Sequence, residues 1–171
     1  MDTLFPILIA IIIVAVFGII LSIIVNAKSR VTTGAKRQKE RQVIVKEATK
    51  KLTSDPHNIN ALTELGNLYY KEQDWAKAYP LYTSLVSLSS SRMGINLAEV
   101  TLRHGICALN LAKTQEALKS LLDSRKLNPD TFDVNFYLGK ALVEQKEYDK
   151  AIPLLRKALM VNKEVPEIYK Y

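Results

Sequence analysis

The sequence predicts an all-α chain: an N-terminal transmembrane helix followed by an α-solenoid of about three helix-turn-helix repeats. Three observations predict it. Residues 4–25 carry no charged side chain. Farther along, a glycine and an alanine recur together in fixed register. Between those markers apolar residues return at helical spacing rather than alternating as strands require.

The first element is the run LFPILIAIIIVAVFGIILSIIV from Leu4 to Val25. As a helix it would be about 33 Å long, against a hydrocarbon core of about 30 Å. Pro6 falls in its first turn, where the missing N–H costs little. A cleaved signal peptide is the competing reading, since Val25-Asn26-Ala27 loosely resembles a cleavage site. The long apolar run and the lack of a preceding basic region argue against it.

The net charge of +7 is concentrated just after this run. Lys28 to Lys51 holds nine basic residues and two acids, Glu40 and Glu47. The high isoelectric point therefore describes one stretch, which weakens a nucleic-acid reading. Lys28, Arg30, Lys36, Arg37, Lys39 and Arg41 are expected at an anionic lipid surface. Charge bias then gives a single-pass protein of the inner or cytoplasmic membrane with its repeats in the cytoplasm. A periplasmic repeat domain is the alternative. Ile44, Ala48 and Leu52 mark a linker helix that Ser54-Asp55-Pro56 ends. The expected division is 1–27 anchor, 28–55 basic linker and 56–171 repeat domain.

The repeats follow from self-comparison. Leu65-Gly66, His104-Gly105 and Leu138-Gly139 align, and Ala78, Ala117 and Ala151 each lie twelve residues beyond the glycine. The second spacing is 34 residues and the first 39, for both markers. One unit thus recurs three times, at about 59–92, 98–131 and 132–165, with an insertion in Ser89-Ser90-Ser91-Arg92-Met93-Gly94. Pro166 to Tyr171 is expected to begin a fourth or capping helix.

This unit resembles the tetratricopeptide repeat over roughly Pro56 to Tyr171. The matching residues include Leu62, Gly66, Tyr69, Trp75, Ala78 and Tyr82 in the first copy. Gly105, Ala108, Ala117, Leu121 and Pro129 carry it in the second, and Gly139, Leu142, Tyr148, Ala151, Leu155 and Ala158 in the third. The resemblance implies paired helices A and B, with glycine and alanine allowing close approach and larger residues filling the space between. His104, Thr114, Leu85 and Ser124 depart from the pattern, so the second repeat is expected to be the most irregular.

The resemblance also implies a partner-binding groove lined by helix A. By repeat position it would include Asn60, Thr63, Asn67, Tyr70, Arg103, Ile106, Asn110, Asp133, Phe136, Tyr137 and Lys140. The alternative is a merely solvated face. Cochaperone members clasp a terminal carboxylate at five places, occupied here by Thr63, Asn67, Arg103, Asp133 and Tyr137. Only Asn67 agrees with that clasp, so chaperone-tail binding is not expected.

Nothing in the sequence points to chemistry. The lone Cys107 excludes an internal disulfide, and with His57 and His104 it makes no metal spacing. The six glycines form no phosphate loop. No enzyme, cofactor, metal, nucleic acid or small-molecule substrate is expected. The expected partners are proteins and a membrane, and a homo-oligomer is a third route. Two functions remain open. The first is a scaffold subunit of a membrane-embedded complex; the layout is similar to bacterial membrane-anchored repeat proteins, including those of the spirochaete flagellar-motor collar. The second is a receptor or assembly factor that transiently binds clients in the groove.

Overall fold

The computed structural model describes residues 18, 19, 21, 22, 34–89, 94–129 and 131–161. The chain divides into two compact units, Met1–Val43 and Ile44–Tyr171. In the first, residues 34–43 are helical. There Lys36, Arg37 and Lys39 are exposed, Arg41 is half-buried, and Lys36 lies 4.0 Å from Glu40. Lys28 and Arg30 lie outside the described residues.

The described part of the second unit consists of helices joined by short turns. Residues 44–54 form α1. There follow α2 (Ile59–Lys71), α3 (Trp75–Ser89), α4 (Leu97–Asn110), α5 (Thr114–Leu127), α6 (Phe132–Glu144) and α7 (Tyr148–Val161). Each of α2 to α7 packs most closely on its neighbours in sequence, so the chain stacks as the hairpins α2/α3, α4/α5 and α6/α7. Among the described residues there is no strand. The all-helical repeat architecture is the one the glycine and alanine spacing predicts.

The membrane expectation is overturned. Among the described residues no helix is long and apolar enough to cross a membrane. Helices α2 to α7 have 13 to 15 residues. At about 1.5 Å per residue they fall short of a core about 30 Å thick, and the longer helical run 34–54 carries nine charged side chains. The single-pass localisation is therefore withdrawn. Apart from residues 18, 19, 21 and 22, the apolar run 4–25 lies outside the described residues, as do Ser90 to Met93 and Pro166 to Tyr171.

Two of the three marker glycines show why the repeat needs them. A Cβ on Gly105 would sit 2.7 Å from Leu121 Cγ, and one on Gly139 2.7 Å from Leu155 Cγ. Gly66 is different, because its nearest neighbour would be the Tyr82 ring at 3.4 Å, an ordinary contact. Ala78, Ala117 and Ala151 are fully buried on the facing helices. Leu62, Tyr82, Leu85, Val100 and Cys107 join the first hairpin to the second. Ile106, Leu109, Leu121, Leu138 and Leu154 join the second to the third. Fully burying one such leucine contributes about 1.5–3 kcal/mol. Ala48 of α1 is buried against Ala61 and Leu65 of the first hairpin, with Val45 and Leu52 alongside.

Each hairpin turn ends its A helix in the same way. Asp74 N–H donates to Tyr69 O and Gln73 N–H to Tyr70 O; Lys113 and Ala112 repeat this on Ala108 and Leu109, and Glu147 and Lys146 on Leu142 and Val143. This is the Schellman pattern, which places one residue in the left-handed region. Those residues are Gln73, Ala112 and Lys146, with φ of 56°, 57° and 61°. None is glycine. The A helices begin on side-chain caps: Asn58 accepts from Ala61 N–H, Asn96 from Glu99 N–H and Thr131 from Val134 N–H. Pro80 and Pro153 occupy one repeat position, the sixth residue of α3 and of α7.

Candidate partner-binding surface

Helical periodicity sets Asn60, Thr63, Asn67 and Tyr70 in one stripe along α2, Arg103 and Asn110 along α4, and Asp133, Tyr137 and Lys140 along α6. Asn60, Asn110 and Asp133 are exposed, while Thr63, Asn67, Tyr70, Arg103, Tyr137 and Lys140 are half-buried. Ile106 and Phe136 behave otherwise. They are only 2 % and 3 % exposed, and both belong to core clusters. Their expected groove positions are corrected: an apolar side chain on the inner edge of the stripe turns into the interior instead.

Arg103 organises the part of the stripe nearest the first repeat. Its Nη1 donates to Asn67 Oδ1 and lies 3.3 Å from the Tyr82 hydroxyl, which itself donates to Asn67 Oδ1 at 2.9 Å. Its Nη2 pairs with Glu99 at 2.5 Å, and the guanidinium lies 5.2 Å from the centroid of the Tyr70 ring. Tyr70 meets Trp75 and Tyr82 edge to face at 5.4 and 6.1 Å. Burial, followed by the neighbouring Tyr137, pushes the Tyr70 hydroxyl well above its ordinary value. Beside this network lies a cavity of about 190 Å³ lined by Thr63, Asn67, Glu99 and Arg103. Sequence reasoning missed Tyr82 and Glu99 here. The four-residue spacing of Glu99 and Arg103 on α4 was the available signal for the second.

A second polar group is buried between α3, α4 and α5. The His104 ring bonds Thr83 Oγ1 through Nε2 at 3.1 Å and Ser120 Oγ through Nδ1 at 2.8 Å. It stacks on Tyr79 with centroids 4.9 Å apart. The Tyr79 hydroxyl donates to Glu116, and Lys113 Nζ lies 4.2 Å from the Tyr79 centroid. Burial lowers the His104 pKa, so a neutral ring is favoured. Ser124, placed where alanine is usual, donates to Ala98 O at 2.9 Å. The irregular residues of the second repeat thus find polar partners inside the stack. Cys107 is fully buried, and burial pushes its thiol up to about 12. An inert packing role follows.

Two family models, both described as tetratricopeptide repeat, match residues 61–92 and 102–167. Among solved structures, "Crystal structure of MamA protein" aligns with a TM-score of 0.66 and 22 % identity, over 78 % of this chain and 70 % of that one. "Crystal structure of MamA" gives 0.61 and 24 %, over 71 % and 68 %. "MamA MSR-1 C2" gives 0.58 and 22 % over 68 % of this chain, which spans 64 % of that protein's length. At these identities the likeness is one of fold. The resemblance to flagellar-motor collar proteins gains no support from these matches.

Proposed function

We propose that this tetratricopeptide-repeat chain is a protein-interaction scaffold, a structural subunit that holds its partners against the A-helix stripe of α2, α4 and α6. The observation that carries this reading is the Arg103 network. It ties Asn67, Tyr82 and Glu99 together and holds the α2 and α4 part of the stripe before any partner arrives. A face already rigid loses little conformational freedom on binding. Around it Thr63, Tyr137 and Lys140 are half-exposed, and Asn60, Asn110 and Asp133 are exposed. This mixed, nearly neutral set suits a partner that brings both hydrogen-bonding and aromatic groups. The MamA likeness supports the scaffold reading through the shared fold.

The test is affinity purification of the full chain from the cells that make it, beside a Tyr137→Glu, Lys140→Glu variant. A scaffold subunit retains a partner in fixed proportion, and the double variant loses it. Partners that wash away, or that stay equally bound to the variant, reject the proposal.

A further inference from the structure

The stack contains two grooves between successive B helices, and the repeat register allows them to be compared residue by residue. The first lies between α3 and α5 over α4, the second between α5 and α7 over α6. In the first, Tyr79 occupies the space. Its ring stacks on His104, its hydroxyl donates to Glu116, and Lys113 lies over its other side. Thr83 and Ser120 complete the polar wall.

In the second groove every one of these positions has changed. Shifted by one repeat, Tyr79 becomes Leu118, Thr83 becomes Leu122, His104 becomes Leu138 and Ser120 becomes Leu154. The charged pair is reversed: Lys113 becomes Glu147 and Glu116 becomes Lys150. Among the described residues no aromatic side chain lines the space, and a cavity of about 490 Å³ remains, with Arg125 and Lys157 also at its edge. Leu122 on its wall is 44 % exposed. The groove therefore has a leucine floor, three cations and one anion, and Lys150 among the cations pairs with the anion, Glu147.

We propose that the groove between α5 and α7 docks a segment of a partner protein that inserts one aromatic ring with carboxylates beside it. The neighbouring groove shows that a tyrosine ring fits between B helices of this stack. There the hydroxyl meets a carboxylate; here the equivalent position holds Lys150, a donor that also pairs with Glu147, so a polar group that reaches it does so as an acceptor. Arg125 and Lys157 extend that preference for acidic neighbours. The apolar floor gives the ring a site to desolvate, the usual form of a binding anchor. This surface is built from the B helices α5 and α7 with Leu138 and Leu142 of α6 beneath them, and it includes none of the stripe residues.

The probe is a displayed library of random peptides of about twelve residues, long enough for one anchor and its flanks. It is panned on the full chain after depletion on a folded Leu122→Glu variant, with circular dichroism as the check on folding. Enriched peptides are expected to share an aromatic residue next to Asp or Glu. They should bind Leu122→Glu at least about tenfold more weakly, as loss of an anchor contact does. Arg125→Glu should weaken the same peptides and favour basic ones. The proposal is overturned if depletion leaves nothing enriched, or if the enriched peptides are basic or lack an aromatic residue. It is also overturned if Leu122→Glu turns a dimer into a monomer in light scattering, since a second copy would then be the occupant. Enrichment that occurs only on a chain ending at Val161 would equally overturn it, in favour of the chain's own last residues.

Discussion

Arg103 and Asn67 join the first two repeats through a single oxygen: Asn67 Oδ1 accepts from both the guanidinium and the Tyr82 hydroxyl. Hydrogen bonds involving a charged group contribute about 1.5–3 kcal/mol. Arg103→Leu should therefore lower the unfolding free energy by about 2 kcal/mol in urea, and Asn67→Ala by a similar amount. The double variant should lose less than the sum by about 1 kcal/mol, because both changes break one contact. Simple additivity would show that the two side chains do not cooperate.

The three marker glycines should respond differently to alanine. Helix propensity alone favours alanine by about 1 kcal/mol. At Gly105 and Gly139 the new methyl meets a leucine Cγ at 2.7 Å, so Gly105→Ala and Gly139→Ala should destabilise by about 1–3 kcal/mol. At Gly66 the contact is 3.4 Å with a ring, and Gly66→Ala should be neutral or slightly stabilising. Equal losses at all three sites in thermal melts would contradict the packing described.

The hairpin turns carry removable strain. Ala112 holds φ at 57°, a conformation costing a non-glycine residue about 1–2 kcal/mol. Ala112→Gly relieves that cost against a larger unfolded-state entropy, for a net gain of about 0.5–1 kcal/mol. Gln73→Gly and Lys146→Gly should behave alike, since both sit at the same cap with φ of 56° and 61°. A lower melting temperature in all three would mean that their side chains contribute more than the turn geometry costs.

His104 should make stability depend on pH. Its folded pKa lies below the ordinary 6.5 through burial, which outweighs the raising effect of Glu116 and acts together with Lys113. Above the unfolded pKa both states are neutral and the His104 contribution is complete. As pH falls below it, the unfolded chain takes up a proton that the folded chain resists, and stability declines until pH passes the folded pKa. The melting temperature should drop from about pH 7.5 to about pH 5, and His104→Gln should flatten that slope. Glu116, drawn down chiefly by the Tyr79 hydroxyl, acts only at lower pH, around and below the usual carboxylate value of 4.5. An unchanged slope in His104→Gln would remove the histidine from the account.

The repeat register was legible because it is steric. Gly105 and Gly139 cannot bear a methyl where Leu121 and Leu155 press against them, and that constraint is written at fixed spacing. The left-handed turn residues were not legible. Gln73, Ala112 and Lys146 carry no glycine signature, and hydrogen bonds to the backbone hold them there. His104 stood out as a departure, but Thr83 and Ser120 lie on other helices and carry no local mark of the contact. The polar members of the expected stripe are exposed or half-buried along α2, α4 and α6, as helical spacing predicts. Ile106 and Phe136 are buried instead, because one step of helical rotation separates the surface from the interior. The inference of a membrane span rested on the length of the uncharged run 4–25 and the basic stretch after it, and no described helix supports it.

Ala48 has no exposed surface, because α1 lies across the outer side of the first hairpin. A repeat array finishes at each extremity with a layer lacking a neighbour, and such a layer is soluble only when something covers it. The smallest autonomous piece of this chain is therefore not the six repeat helices. Trimmed back to residue 56, it would show water a strip of Ala61, Leu65, Tyr69 and Leu81 and would tend to clump; started at residue 44, it keeps its own cover.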